Sequence, residues 1–413
     1  MQTSSFDESS LHFDFTQGSL PDYSGFVVTR ASSVATVINR RGLVELVDAN
    51  IARFTYEPSN LSRGSSLLLE GPSTNICLES QTIQSWSGGQ NVTKAGNTTD
   101  VTDPAGTNTA TKMTVTAGQY CSVFQQITVT AGTQYTFSFW IQGTAGNTLR
   151  IFDVTNSANI VTNQVISYTT TGWTRVSTTF TTPIGCTSIY VYAVNVTAVS
   201  ADVYYLWGAQ LEVGRFASSY IPTKLTSVTR DGDVARCPIS LRSANLARGM
   251  GTMLFVGSIK RPTPGVGDTS DIAGVGTNVQ TNFGFAFDAA DIGSGECNGT
   301  TARVQAAFNM VVPTLSNEFN IDYSQEFRLA ASFTTDGTNT FILSSLNGSG
   351  PVDGSTSAAV VPSTFTSGFF KAGSADPGAP AINIRIFKYI SSSSVLFSSP
   401  FTSNQAKLNA LTL

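Results

Sequence analysis

"QYTFSFWIQG", Gln134–Gly143, decides the fold. Its positions separate into two sets: Tyr135, Phe137, Phe139 and Ile141 on one side, Thr136, Ser138, Trp140 and Gln142 on the other. Successive side chains of a strand point to opposite faces of the pleat, so a period of two marks a strand with one face on a core. The same alternation recurs outward from it. It is seen in "TLRIFDV" (Thr148–Val154), "QVISYTTT" (Gln164–Thr171), "WTRVSTTFTT" (Trp173–Thr182), "SIYVYAVNV" (Ser188–Val196) and "DVYYLWGAQLE" (Asp202–Glu212), with turn residues between. Many short strands without a helical period predict an all-β chain built of antiparallel β-sandwich domains of jelly-roll type.

After Leu211 the alternation stops. Pro222 and the polar "TSVTRDGDVARC" that follows read as a linker over residues 223–245, closing a domain that spans 81–222. A second strand series then runs through "GTMLFVGSIK", "EFRLAASFTTDGTNTFILSSLNG" and "INIRIFKY", which predicts a second β-sandwich over 246–413, with a hairpin turn at Asp336–Gly337. "TSNQAKLNALTL" at the end suits a closing helical turn. Residues 1–80 hold only short apolar pieces, "HFDF", "GFVVT" and "GLVELV", too small to bury a core alone. They read as an extended N-terminal docking arm.

Composition removes several function classes. Charged residues make up 12% of the chain, against about 25% in an ordinary soluble protein. The net charge is −4 and no Lys/Arg cluster offers an electrostatic footprint, so a nucleic-acid partner is not expected. The opening "MQTSSFDESSLHFDF" lacks a basic stretch followed by an apolar one, and nothing approaches a run of about 18 apolar residues, so neither export by a signal peptide nor membrane insertion is expected. Five cysteines, an odd number without a CxxC pair, read as reduced, buried thiols. The single histidine, His12, lies near the start of the chain and would have to carry any Ser-His-Asp, Cys-His or His-zinc chemistry by itself. Carboxylate-pair hydrolysis needs no histidine, but no convincing pair stands out in the sequence, and no enzymatic role is expected.

The aromatics are the candidate binding residues, because sugars are held by stacking on ring faces with a few polar contacts. All four tryptophans, Trp86, Trp140, Trp173 and Trp207, fall in the middle module. Trp207 shares parity with Tyr205 and Leu211 and reads as core; Trp173 opens a strand and reads as core or rim; Trp86 has no assigned place. Trp140 lies opposite Phe137 and Phe139. If its face is concave it is a sugar platform; otherwise it is an interface residue between subunits. Tyr190 and Tyr192, alternating with Ile189 and Val191, are candidates to line the same groove. Arg150 is a further candidate contact, against the plainer reading of a solvated pair with Asp153. Asp231 and Asp233, beside Arg230 and Arg236, read as a linker salt-bridge network. No cofactor is expected, a structural calcium on Asp103 and Glu79 being the one metal weighed.

Several motifs in sequence order resemble a known family. "HFDFTQGS" gives a DFT-x-G-S opening at Asp14–Ser19. It is followed by a TRAS-x-x-AT motif at Thr29–Thr36, an N-x-x-G turn at Asn39–Gly42, an ARF-x-Y motif within Ala49–Tyr56 and an LLLE-x-x-x-TN motif at Leu67–Asn75. This lead resembles that of tailed-phage virion fibre, spike or appendage proteins. "LWGAQLEVG", "SSYIPT" and "VTRDGDVA", Leu206–Ala235, are similar to the closing strand and exit of the carbohydrate-binding-like jelly rolls in those proteins. The last zone looks like a laminin-G or concanavalin-A-like sandwich. The resemblance implies a structural protein on the virion surface, anchored by its N-terminal arm to capsid, portal or tail proteins. It also implies a homo-oligomer, a trimer by analogy with phage fibres, and host-surface polysaccharide as a partner. A capsid cement protein without glycan binding and a glycan-degrading spike are the alternatives.

Overall fold

A computed structural model describes residues 10–20, 25–86, 88–239, 251–260, 269–276, 284–290, 301–308, 315–322, 325–335, 340–347, 349–356, 368–373 and 381–390. Among these, no α-helix occurs: strands, two single-turn 3-10 helices at Leu61–Arg63 and Ile83–Ser85, and loops make up the chain. Every strand pairing among the described residues is antiparallel. The all-β expectation therefore holds. The Asp336–Gly337 turn, Cys297 and the closing "TSNQAKLNALTL" lie outside the described residues.

Two compact units divide the chain, and neither is continuous. One comprises Met1–Ala31, Asn50–Gly71 and Gly232–Leu413; the other comprises Ser32–Ala49 and Pro72–Asp231.

In the first unit an eight-stranded sheet runs in the order Ser349–Thr356, Thr340–Leu346, Phe327–Thr335, Gly251–Lys260, Ala381–Ile390, Ser65–Leu69 and Arg53–Tyr56, with Ser10–Asp14 also paired to Ala381–Ile390. A seven-stranded sheet begins with Val27–Thr29 and continues through Val234–Ile239, Gly368–Ala372 and Thr269–Gly276. Residues of both sheets share one core: Phe13, Leu67, Leu329 and Phe387 from the first, Val28, Cys237, Phe370 and Ala372 from the second. This is a sandwich.

The N-terminal segment departs from the expected extended arm. Phe13, Phe15, Phe26 and Val28 are buried in this core, and Ser10–Asp14 takes a full register on Ala381–Ile390. The short apolar pieces that cannot bury themselves are buried by strands far along the chain. His12 sits within Ser10–Asp14, opposite Lys388. Asp233 is fully buried and takes Arg30 at 2.9 Å, while Arg53 pairs with Asp233 and, at 2.7 Å, with Glu70. An ion-pair network exists as expected for Asp233, but it is buried, and its cations are Arg30 and Arg53. Arg236 is exposed, and Arg230 donates instead to the hydroxyls of Ser218 and Ser219 within the second unit.

The second unit is a sandwich of two five-stranded sheets. One runs Thr174–Thr181, Gln134–Gly143, Val203–Val213, Thr111–Val115, Val92–Ala95; the other runs Ala158–Val165, Thr148–Asp153, Ser188–Thr197, Tyr120–Thr128, Gly88–Gln90. Phe137, Phe139, Tyr204 and Leu206 of the first sheet meet Val123, Ile151, Ile189 and Val191 of the second in the shared core. Trp86, unplaced from sequence, is in that core and donates its indole N–H to the Leu78 carbonyl.

A smaller cluster covers the far face of the first sheet. Trp140, Trp207 and Tyr220 pack together there with Val44 and Ala110. Ring centroids lie 5.3 Å apart for Trp140–Trp207 and 4.8 Å for Trp207–Tyr220. Trp207 is buried, as expected, but on this side. Gly208 has φ +66° and interrupts the alternation, so Trp207 faces the small cluster while Ala209 and Leu211 return to the main core. Trp173 lies at the rim and donates to the Thr102 carbonyl.

Candidate functional site

The four residues singled out from sequence do not form one site. Trp140 points away from the main core, as its parity requires, but the small cluster buries it to 8% exposure, and the Arg175 guanidinium sits 4.5 Å from its ring centroid. It offers no ring to a ligand. Tyr190, Tyr192 and Arg150 do come together, on the solvent face of the other sheet.

That face is assembled by register. Tyr190 and Tyr192 leave Ser188–Thr197 on the side opposite Ile189 and Val191. Across the ladder Phe124 stands beside Tyr192 and Gln126 beside Tyr190; on the other flank Arg150 pairs with Tyr192 and Phe152 with Tyr190. Four rings therefore touch. Phe124 is 4.4 Å from Tyr190 and 4.9 Å from Tyr192, and Phe152 stacks 6.1 Å from Tyr190 at 17°. Phe124, Phe152 and Tyr190 are half-buried, while Gln126, Asn159 and Asn163 at the margin are exposed. Tyr192, under Arg150, is buried.

A register shift between Val123 and Phe124 leaves Ala193 and Val194 both in the core, and strand parity beyond them is reversed. Asn195 thereby joins the tyrosine face. The Tyr120 hydroxyl donates to Asn195 Oδ1 at 2.8 Å, and Asn195 Nδ2 donates to Asn163 Oδ1 and to Thr148 Oγ1. Arg150 Nε donates to Asn159 Oδ1 at 2.8 Å, and its Nη1 donates to the Tyr120 hydroxyl at 3.2 Å. The guanidinium carbon lies 4.8 Å from the Tyr192 centroid and 5.1 Å from that of Phe152. Burial pushes the Tyr192 phenol above its ordinary value, against a smaller opposing effect of Arg150, so the ring is neutral at physiological pH.

Arg150 and Asp153 are not a solvated pair. Asp153 is buried on the core side of the strand and accepts from the backbone and side chain of Asn156. The calcium candidates are otherwise engaged as well. Asp103 accepts from the backbone of Ala105, Thr107 and Thr109 and from both threonine hydroxyls, and Glu79 accepts from the Thr82 hydroxyl. On Asp103 those donors engage both carboxylate oxygens. Among the described residues no three His, Cys, Asp or Glu side chains converge.

Phe124, Phe152, Tyr120, Asn159 and Asn195 were missed from sequence. For Phe152 the signal was available, since it shares parity with Arg150. Phe124 and Tyr120 alternate with Cys121 and Val123. Asn195 had no such signal, because the bulge reverses its face.

The strands of this face lie within a region of recognisable sequence. Residues 74–199 match a carbohydrate binding domain, CBM_4_9. No curated protein matches the chain. Among solved structures, a CBM4 structure is similar at 15% identity over 25% of this chain and 71% of that one, with a TM-score of 0.22. Domain 4 of AbnA, a GH43 extracellular arabinanase from Geobacillus stearothermophilus solved with arabinotriose, is similar at 14% identity over 48% and 82%, TM-score 0.27. The CBM22-1–CBM22-2 tandem of Paenibacillus barcinonensis Xyn10C is similar at 9% over 79% and 98%, TM-score 0.24. Likenesses of this size carry no argument about function.

Proposed function

We propose that this protein binds glycans through the Phe124–Phe152–Tyr190 face of the unit formed by Ser32–Ala49 and Pro72–Asp231. One observation carries the reading: contacting rings and fixed amides occupy the solvent side of a sheet within the stretch that matches a carbohydrate binding domain. Ring faces take the apolar C–H face of a pyranose, and Gln126, Asn159 and Asn163 are placed to meet its hydroxyls. The role is binding rather than catalysis.

A finer reading rests on the motif order from Asp14 to Asn75 and on Leu206–Ala235. It makes the protein a surface fibre or appendage of a bacteriophage virion that attaches to host-surface polysaccharide as a homo-oligomer, with a cement role as the competing outcome. A glycan array probed with the full chain tests the first part. Ligands should be retained by the wild type and lost by Tyr190→Ala with an unchanged circular dichroism spectrum. A labelled antibody on intact virions tests the second: surface decoration supports it, and absence of the protein from the particle rules it out.

A further inference from the structure

The centre of the proposed face is a cation rather than a bare ring. Arg150 stands over Tyr192 and Phe152, and every group holding it is neutral: Asn159 Oδ1 at Nε, the Tyr120 hydroxyl at Nη1, and two aromatic rings below. The nearest carboxylate along its strand, Asp153, faces the core and is engaged by Asn156. Among the described residues Arg150 makes no ion pair.

A guanidinium carries five N–H donors in a planar fork. With Nε and one Nη1 hydrogen committed, the Nη2 pair and the second Nη1 hydrogen are uncommitted. They are charged donors of the kind that bind a carboxylate most strongly. The fork is also fixed in advance: Asn159 and Tyr120 pin two of its corners, and Asn195 in turn pins Tyr120. Little ordering is left to be done on binding. A neutral sugar would be served equally well by amides, and the face already has them in Gln126, Asn159 and Asn163.

We infer that the ligand of this face is an acidic glycan of the uronic-acid class, its carboxylate held by Arg150 and its ring set against Tyr190 and Phe124. The inference rests on the glycan-binding reading above and names its substrate class.

The test uses the full chain and three carboxylated polymers, polygalacturonate, alginate and hyaluronan, each beside its carboxyl-reduced form, in affinity electrophoresis followed by calorimetry. Charge-assisted hydrogen bonds are worth enough that at least one acidic polymer should bind about tenfold or more tighter than its reduced form. Added salt should erode the difference. Arg150→Gln, checked for folding by circular dichroism, should abolish the preference. Arg150→Lys, which keeps the charge but loses the fork, should recover only part of it. Equal binding of acidic and reduced polymers, or a preference for the acidic form that Arg150→Gln keeps in full, overturns the inference and leaves glycan binding standing. Failure to bind any acidic or neutral polymer overturns both.

Discussion

Tyr190 and Trp140 have the same sequence credentials, an aromatic on the polar side of an alternating strand, and opposite fates. What separates them is what covers the far face of each sheet. Trp140 has Trp207 beside it on the neighbouring strand and Tyr220 packed against it from a loop beyond the sheet, and periodicity within its own strand carries no information about that cover. Among the described residues, the rings against Tyr190 come from its own strand and the two strands beside it. Tyr190→Ala is expected to lower glycan affinity by about 1–3 kcal/mol in calorimetry while shifting the thermal midpoint little, because a half-buried ring is removed without opening a core cavity. Asp103 gives a residue-scale prediction of another kind. Burial pushes its carboxyl up, yet the hydrogen bonds from Thr107 and Thr109 together hold it below its ordinary value. A group lowered on folding contributes stability that is complete above the unfolded value and drains as pH falls through the folded one. Asp103→Asn should therefore cost about 1–3 kcal/mol at neutral pH, and the gap to wild type in urea midpoint should narrow below about pH 4. A gap that is constant from neutral to acid pH would contradict the assignment.

At the scale of the element, strands were legible and their bulges were not. Gln134–Gly143 and Ser188–Thr197 are strands as the alternation predicts. Counting parity through a strand assumes no extra residue, and two bulges break that assumption, one at the proposed site and one at the buried tryptophan cluster. One puts Asn195 on the tyrosine face; the other, at Gly208, turns Trp207 from the main core toward Trp140. Glycine is required at the second. Its φ is +66°, and a Cβ there would stand 2.7 Å from Trp140 Cε3. Gly208→Ala should cost about 1–3 kcal/mol through strained backbone and a displaced indole, read as a lower urea midpoint and changed tryptophan fluorescence. An unchanged midpoint would mean that the bulge is not held as described.

At the scale of the whole molecule, two sandwiches are legible in the sequence as successive blocks, whereas each unit is assembled from separated segments of the chain. Composition and periodicity locate strands; they do not say which distant strand each one joins. The pairing of Ser10–Asp14 with Ala381–Ile390 and the burial of Arg30, Arg53, Glu70 and Asp233 tie early and late segments into one unit. Asp233→Ala leaves Arg30 and Arg53 buried without their shared partner and should cost about 3–5 kcal/mol, measured by denaturant unfolding. Deleting residues 1–31 should likewise destabilise that unit, since Phe13, Phe15, Phe26 and Val28 leave its core. In the other unit the solvent-facing aromatic sheet is the proposed glycan site. Its most direct test is a glycan array probed in parallel with the wild-type chain and with Phe124→Ala/Tyr190→Ala, both checked for folding by circular dichroism. Wild type should select a set of glycans that the variant no longer retains. Retention of the same glycans by the variant, or no retention by a folded wild type, would contradict the account.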